Sequence, residues 1–283
     1  MSWLLLTFLG ILIFSSNNIL HRVLMKDAKS DPYAQTIVFF GLAGIFALVF
    51  SLIRGNFYYH VTFHQVLLFI PLTVSCLVGP ILLFKSFKLI DASENAILQS
   101  SQKLWIVLGS FLFLQEIFTW KKIIGTVIII LGIAIAEWRY KRFQFNEGAL
   151  LVFIASIFYA IMNIISFYLV RDIDAISFLV YVYFLPVIVL FLIRPKTLKQ
   201  VSYYFKPKYS FCVTILSLND VLGSVLIFYA YQIGRNAAQI APLMGLITII
   251  SVMLGIILLN ERKNIPNKIL GAFVTVVGAL LVL

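Results

Sequence analysis

The sequence predicts an all-α integral membrane protein with ten transmembrane helices arranged as two inverted five-helix repeats. Three observations lead to this fold class: the composition, the length of the apolar runs, and a repeat at an offset of 145 residues. Hydrophobic residues make up 62% of the 283 residues and charged residues 12%, and the mean hydropathy is +1.04. An ordinary soluble domain is roughly 25% charged. Polar side chains are therefore too scarce to cover a soluble globule.

The apolar runs are long enough to form membrane-spanning helices. A transmembrane helix needs about 20 apolar residues, so ten helices take about 200 residues and leave about 80 for loops. The runs at 127–136 and 178–193 are continuous, whereas a membrane β-strand alternates polar and apolar residues. The predicted spans, in chain order, are 3–24, 34–53, 66–88, 94–114, 121–138, 148–170, 175–194, 211–233, 238–259 and 265–283.

An internal repeat relates the first five spans to the last five. At an offset of 145 residues Asn18 falls on Asn163. Other polar and glycine matches, the last two with one extra residue, are Asp27 with Asp172, Glu116 with Glu261, Gly125 with Gly271, and Gly132 with Gly278. Because five is odd, the second half enters the membrane from the opposite side, as in transporters that bind substrate between inverted repeats. We expect repeats over 1–143 and 144–283; an old duplication without a site is the alternative.

The first and sixth spans carry matching polar faces. Helical spacing places Ser15, Asn18 and Arg22 on one face of the first span. The corresponding polar residues of the sixth span are Ser156, Tyr159, Asn163 and Ser166. These side chains either line a central cavity or hold the bundle together through hydrogen bonds between helices. The pattern alone favours neither reading.

The fourth span carries a polar stripe that includes a lysine. Its members are Asn95, Gln99, Gln102, Lys103 and Ser110. An ionisable side chain at mid-helix costs about 2.5–3.5 kcal/mol in a membrane, and so indicates function. We expect the stripe to line a polar path, in which Lys103 would attract a carboxylate or a phosphate. The alternatives are that Lys103 reaches towards the membrane surface or pairs with an acid.

The eighth span carries an acidic residue near its middle. Asp220 shares a helix face with Ser217, Ser224 and Tyr231, and Asn219 adjoins it. A buried carboxylate is poorly solvated when charged, which makes it a plausible proton carrier. A salt bridge between Asp220 and Lys103, without a role in transport, is the alternative.

Glycines in the fifth and tenth spans predict a close helix contact. Gly125 and Gly132 are seven residues apart, as are Gly271 and Gly278, so each pair lies on one helix face. Small residues allow two helix backbones to approach each other. We therefore predict that these two helices pack through their glycine faces.

The net charge of +11 is concentrated in short loops, which indicates contact with anionic lipid headgroups rather than with nucleic acid. If the N-terminus is inside, the cytoplasmic loops hold 5 Lys and Arg and the opposite loops hold 15. The positive-inside rule therefore places both termini outside.

Several motifs resemble those of the EamA-type transporters of the drug/metabolite transporter superfamily. The first helix of that family often carries Trp-Gly-Ser-Asn, and residues 14–18 read Phe-Ser-Ser-Asn-Asn. Its fourth helix often carries Ser-Ser, then Glu or Gln followed by Pro, and ends in Gly-Glu; here 100–103 read Ser-Ser-Gln-Lys and 115–116 read Gln-Glu. In the ninth helix, 241–243 read Ala-Pro-Leu and 260–261 read Asn-Glu. The departures are the missing Trp-Gly and the lysine in place of proline.

The resemblance covers nearly the whole chain and implies a secondary transporter that exports a small polar metabolite, an amino acid or related compound, by alternating access. We expect the substrate-binding residues to be Asn18, Gln99, Gln102, Lys103, Tyr159, Asn163, Asp220 and Tyr231. The expected partners are the small-molecule substrate, the lipid bilayer and, if Asp220 carries them, protons. No nucleic acid, metal, cofactor or oligomer is required. The resemblance also implies a multi-pass protein of a bacterial or archaeal cell membrane, with both termini inside.

Other functions stay open at this stage. A carrier for phosphorylated or nucleotide-linked sugars would use Lys103 and Arg235, and a carrier for a lipid-linked substrate is another possibility. A membrane scaffold without transport activity is the alternative from a different class. An enzyme is disfavoured because neither His-Glu-x-x-His nor Gly-x-Ser-x-Gly occurs, and the sequence has no nucleotide-binding loop through which ATP would drive transport.

Overall fold

The computed structural model describes residues 2–27, 29–55, 57, 60–99, 101–113, 119–139, 142–143, 146–234, 237–260 and 265–281. The α-helices are α1 (Trp3–Phe14), α2 (Asn17–Met25), α3 (Pro32–Arg54), α4 (Phe63–Leu89), α5 (Ala92–Gln99), α6 (Gln102–Phe113), α7 (Trp120–Glu137), α8 (Glu147–Leu169), α9 (Ala175–Ile193), α10 (Leu198–Val201), α11 (Pro207–Gly234), α12 (Ala237–Leu243), α13 (Leu246–Leu258) and α14 (Ile265–Leu281). A 3-10 helix, Pro195–Thr197, precedes α10, and two short antiparallel strands, β1 (Trp138–Arg139) and β2 (Arg142–Phe143), separate α7 from α8.

The all-α membrane fold is confirmed. Seven stretches within the described ranges are long and apolar enough to cross a membrane, namely Trp3–Met25, Pro32–Arg54, Phe63–Leu89, Glu147–Leu169, Ala175–Ile193, Tyr209–Gly234 and Gln239–Leu258. A shorter apolar helix covers Ile265–Gly278. Helices also occupy the positions of the fourth and fifth predicted spans, but the count of ten crossings is not established by length and hydropathy in this part of the chain.

Three predicted spans are broken rather than continuous. The first breaks at Ser15–Ser16, the fourth before Gln102, and the ninth at Met244–Gly245. Ser15 Oγ donates to the Ile11 carbonyl oxygen at 2.6 Å, a bond that bends helices. The second and third breaks fall at equivalent positions of the two repeats, whereas α8, the counterpart of α1 and α2, is continuous. Broken helices are tolerated at membrane depth where they line a cavity.

Helix contacts follow the approximate two-fold relation that the repeat predicts. The helix α1 packs against α11, and its counterpart α8 packs against α4, the counterpart of α11. Equivalent helices also pack against each other, α3 against α9 and α7 against α14. In the broken spans α5 packs against α13 and α12 against α6. The two repeats therefore form one interlocked bundle.

The predicted glycine contact between α7 and α14 is confirmed. A Cβ atom on Gly132 would lie 2.5 Å from the Thr275 backbone nitrogen and 2.8 Å from the Gly271 carbonyl oxygen. A Cβ atom on Gly278 would lie 2.7 Å from the Gly125 carbonyl oxygen. These distances are shorter than a van der Waals contact, so a side chain does not fit at either position. The two backbones approach each other more closely than a residue larger than glycine would allow.

The connection between α9 and α11 folds back under the N-terminus of α3. The Tyr204 hydroxyl donates to the Asp31 carbonyl oxygen at 2.9 Å and accepts from the Asp31 backbone N–H at 3.1 Å. Tyr209 donates to the Asp27 carboxylate at 3.0 Å. Burial raises the pKa of Tyr204, so its hydroxyl keeps its proton. This connection ties the second repeat to the first at what we call the basic end, which carries the connections 26–31, 90–91 and 194–206.

Candidate functional site

A cavity of about 190 Å³ lies between the two repeats. Its walls come from α1 to α6 in the first repeat and from α8, α9, α11, α12 and α13 in the second. All three broken spans contribute to it, and no lining side chain among the described residues comes from α7 or α14. The cavity thus occupies the repeat interface, where transporters of this architecture bind substrate.

Seven of the eight predicted substrate-binding residues line this cavity. They are Asn18, Gln99, Gln102, Lys103, Tyr159, Asn163 and Asp220. Tyr231 lies outside the lining, since its buried side chain packs against Phe167 with ring centroids 4.6 Å apart and its hydroxyl accepts from Arg171 at 3.0 Å. Tyr231 does share the Asp220 face, but eleven residues of helix carry it about 16 Å along the axis, beyond the cavity.

Asn18 and Asn163 approach the cavity from opposite repeats, as predicted. The Asn18 amide donates to Ser251 Oγ on α13 at 3.2 Å, and Ser251 donates to the Ser15 carbonyl oxygen at the helix break, at 3.1 Å. The Asn163 amide donates within its own helix, to the Tyr159 carbonyl oxygen at 2.7 Å. Asn18 therefore combines both readings of the polar face, because it lines the cavity and also joins helices of the two repeats.

Asp220 is held by neutral donors from both repeats. Tyr183 donates to one carboxylate oxygen at 2.7 Å, and the Asn17 amide donates to the other at 3.5 Å. Next to it, the Asn219 amide donates to Ser16 Oγ at 3.0 Å. The carboxylate is thus linked directly to the break between α1 and α2.

Lys103 faces the same cavity and does not pair with Asp220. No described side chain forms a hydrogen bond or an ion pair with the Lys103 ammonium group, and its distance from the Asp220 carboxylate exceeds 4.0 Å. The predicted alternative of a purely structural salt bridge between these two residues is therefore wrong. The cavity presents one positive and one negative group at separate places.

The two charges have no charged counterparts in the repeat. At the offset of 145 residues Asp220 corresponds to Ser75 and Lys103 to Thr248, and both counterparts are buried. The cavity residues Gln99 and Gln102 correspond to the cavity residues Met244 and Ile247. The fourth span thus supplies polar groups to the cavity, and its counterpart, the ninth span, supplies apolar surface.

Several cavity residues were not predicted. They include Asn17, Phe39, Phe40 and Tyr183. Tyr183 lies in a continuous apolar run, where hydropathy gives no sign of a polar contact. Asn17 reaches the cavity because the break at Ser15–Ser16 alters the helical spacing on which the prediction rested. Arg22, predicted on the same face as Asn18, instead pairs with Asp91 at 3.6 Å.

Some sequence expectations fall outside the described residues. These are Arg235, which the sugar-phosphate alternative uses, and the motif residues Ser100, Gln115, Glu116 and Glu261.

Comparisons with known proteins agree with the two-repeat membrane fold. The model of the EamA-like transporter family matches two segments of the chain, residues 1–138 and 146–283. No curated protein sequence matches the chain. A solved structure, described only as "Crystal structure of protein", is similar over 98% of this chain and 94% of that chain, with a TM-score of 0.68 and 16% sequence identity. At this identity the likeness concerns the fold alone.

Proposed function

The chain belongs to the EamA-like transporter family, whose members are transporters rather than enzymes, and we propose that it exports a small zwitterionic metabolite, an amino acid or related compound, by alternating access. The observation that carries the proposal is the pair of separated opposite charges, Lys103 and Asp220, in a cavity between the repeats. A charged group at membrane depth without a counter-charge is costly, so such groups indicate a bound ligand or a transported ion.

The cavity offers complementary groups for both ends of a zwitterion. Lys103 suits a substrate carboxylate, and the Asp220 carboxylate suits a substrate ammonium group. Next to Asp220, the Asn17 side-chain oxygen is buried and has no hydrogen-bond partner among the described residues, so it supplies a further acceptor. The apolar walls, among them Phe39 and Met244, would contact the rest of the molecule.

Cavity size favours a small substrate over the larger alternatives. A cavity of about 150 Å³ is enough to hold benzene, and the one here is about 190 Å³. A nucleotide-linked sugar or a lipid-linked substrate is several times larger than this space. A scaffold without transport activity would gain nothing from burying the two charges of Lys103 and Asp220, which do not pair with each other and are costly at membrane depth.

Alternating access would use contacts that join the repeats at the two ends of the cavity. At the basic end Lys268 of α14 pairs with Asp91 at 3.5 Å. At the other end Arg54 of α3 pairs with Asp174, the N-cap of α9, at 2.7 Å. We propose that the repeats 1–143 and 144–283 rock against each other, so that one set of contacts opens while the other holds.

Uptake into liposomes tests the transport proposal directly. Purified protein is screened by thermal shift over amino acids and related metabolites, because a ligand of the folded state raises its unfolding temperature. Compounds that stabilise the protein are then offered to proteoliposomes as radiolabelled substrates, with protein-free liposomes as the control. Binding with no uptake of any stabilising compound would favour the scaffold alternative.

Lys103→Gln is expected to weaken binding of the zwitterionic substrate by roughly tenfold to a hundredfold, because a hydrogen bond to a charged group contributes about 1.5–3 kcal/mol. Affinity for the decarboxylated amine analogue should change less than threefold. The dissociation constants are measured by thermal-shift titration, and Lys121→Gln, on the exposed start of α7, is the matched control. Equal losses for both ligands would contradict the assignment of Lys103 to the carboxylate.

We propose that both termini lie outside a bacterial or archaeal cell membrane, with the basic end in the cytoplasm. The proposal follows the excess of Lys and Arg in the connections of that end, which the positive-inside rule assigns to the cytoplasm. Alkaline phosphatase fused to the C-terminus is expected to be active, and green fluorescent protein at the same place dark. The reverse pattern would establish the orientation that the family resemblance implies.

A further inference from the structure

Two cations meet on one tyrosine ring at the basic end, outside the transport cavity. The guanidinium carbon of Arg194 lies 4.1 Å from the centroid of the Tyr33 ring, and the Lys85 ammonium nitrogen lies 5.5 Å from it. Tyr33 is in the first turn of α3, Lys85 is one turn before the end of α4, and Arg194 is the C-cap of α9. All three residues therefore lie near the ends of helices whose length and hydropathy suit a membrane span, where we expect the lipid headgroups.

No acidic side chain in the described part of the chain pairs with Lys85 or Arg194. The acids nearby have other partners. Asp27 accepts from Tyr209, Asp31 caps α3 through the Ala34 backbone N–H, and Asp91 pairs with Arg22 and Lys268. Two positive groups thus approach one ring, and neither lies within 4.0 Å of a carboxylate in the described ranges, so a bound anion would stabilise them.

The surface below this pair is apolar. In the last turns of α9, just before Arg194, the side chains of Ile188, Phe191, Leu192 and Ile193 are all largely exposed. A headgroup held at Arg194 would place its acyl chains along this surface, whereas free phosphate would gain nothing from it. The orientation that we propose also puts the basic end in the leaflet where anionic lipids attract basic groups.

We propose that Lys85, Arg194 and Tyr33 form a binding site for the phosphate headgroup of an anionic membrane lipid. Arg194 and Lys85 bind the phosphate oxygens, Arg194 with its planar pair of donors, and Tyr33 holds the two cations in place between α3, α4 and α9. Because these helices come from both repeats, a lipid bound there would also join the repeats at the basic end.

Lipid binding is measured on the purified full-length protein in neutral detergent, as the rise in unfolding temperature with added dioleoylphosphatidylglycerol. The wild type is expected to respond to this lipid and not to dioleoylphosphatidylcholine or inorganic phosphate. The double variant Lys85→Gln, Arg194→Gln should bind the lipid about thirtyfold more weakly, since each cation near the membrane surface contributes about fivefold in affinity and the two factors multiply. The conservative variant Lys85→Arg should retain binding.

The matched control is Lys196→Gln, Lys199→Gln, which removes two exposed cations from the same end but not from the tyrosine ring. It should lose less than threefold. An equal loss in both double variants would mean that diffuse charge binds the lipid, and would overturn the site. An equal response to inorganic phosphate or to phosphatidylcholine would overturn the assignment to an anionic lipid. These measurements do not depend on transport.

Discussion

Gly132→Ala is expected to destabilise the protein by about 3 kcal/mol, at the upper end of the cost of overpacking. The new Cβ would lie 2.5 Å from the Thr275 backbone nitrogen and 2.8 Å from the Gly271 carbonyl oxygen, so rotation of a side chain cannot relieve the clash. Either α7 and α14 move apart or the backbone distorts. The fall in the unfolding midpoint, measured by intrinsic fluorescence in detergent, should be about 10 °C.

Gly41→Ala is the matched control for this experiment. Gly41 lies inside α3, and a Cβ there would meet nothing within 4 Å. Alanine is the better helix former by about 1 kcal/mol, so this variant should be as stable as the wild type or more stable. If Gly132→Ala and Gly41→Ala have the same stability, the close contact between α7 and α14 does not exist in the membrane protein.

The same pair of helices shows why much of the fold could be predicted. Almost any order of apolar side chains can form a membrane helix, so apolar matches between the two repeats carry little information. Gly132 and Gly278 are informative because glycine weakens a helix and is kept where backbones meet. Asn18 and Asn163 are informative because a polar side chain facing lipid is costly. Glycine inside a helix and asparagine inside a membrane each carry an energetic cost, and that cost indicated which positions lie at a helix contact or at the cavity.

The helix breaks show what this reasoning could not reach. Hydropathy treats Trp3–Met25 as one span, although the chain breaks at Ser15–Ser16. A two-residue interruption does not change the mean hydropathy of a window, and the break depends on contacts such as that between Asn219 and Ser16, 203 residues apart. Asn17 and Tyr183 therefore appeared only in the structure, whereas Tyr231 lies on the predicted face but too far along it.

Asp220→Asn is expected to reduce uptake driven by a pH gradient at least tenfold, while exchange measured at saturating substrate changes less than threefold, because the asparagine oxygen still accepts a hydrogen bond from the substrate's ammonium group. The sequence left two cases open, since pairing with Lys103 would keep Asp220 charged throughout the cycle. The structure separates the two residues and gives Asp220 only neutral hydrogen-bond donors, Tyr183 and Asn17. With no cation beside it among the described residues, a proton or the substrate's ammonium group is left to neutralise the carboxylate.

Asparagine keeps the size of Asp220 and one of its two acceptor oxygens, but it cannot bind and release a proton in this way. Both rates are measured in proteoliposomes, uptake with an inward-directed or outward-directed pH gradient and exchange with equal pH on both sides. Asp172→Asn, an exposed acid at the end of α8, is the matched control and should leave both rates unchanged. Asp220→Glu, which retains a carboxylate, should recover part of the gradient-driven rate.

If Asp220→Asn transports normally under a gradient, protons are not carried by Asp220, and its place in the cavity then concerns the substrate alone. If both rates fall together even at saturating substrate, Asp220 is required in every transport step, and proton coupling must reside elsewhere.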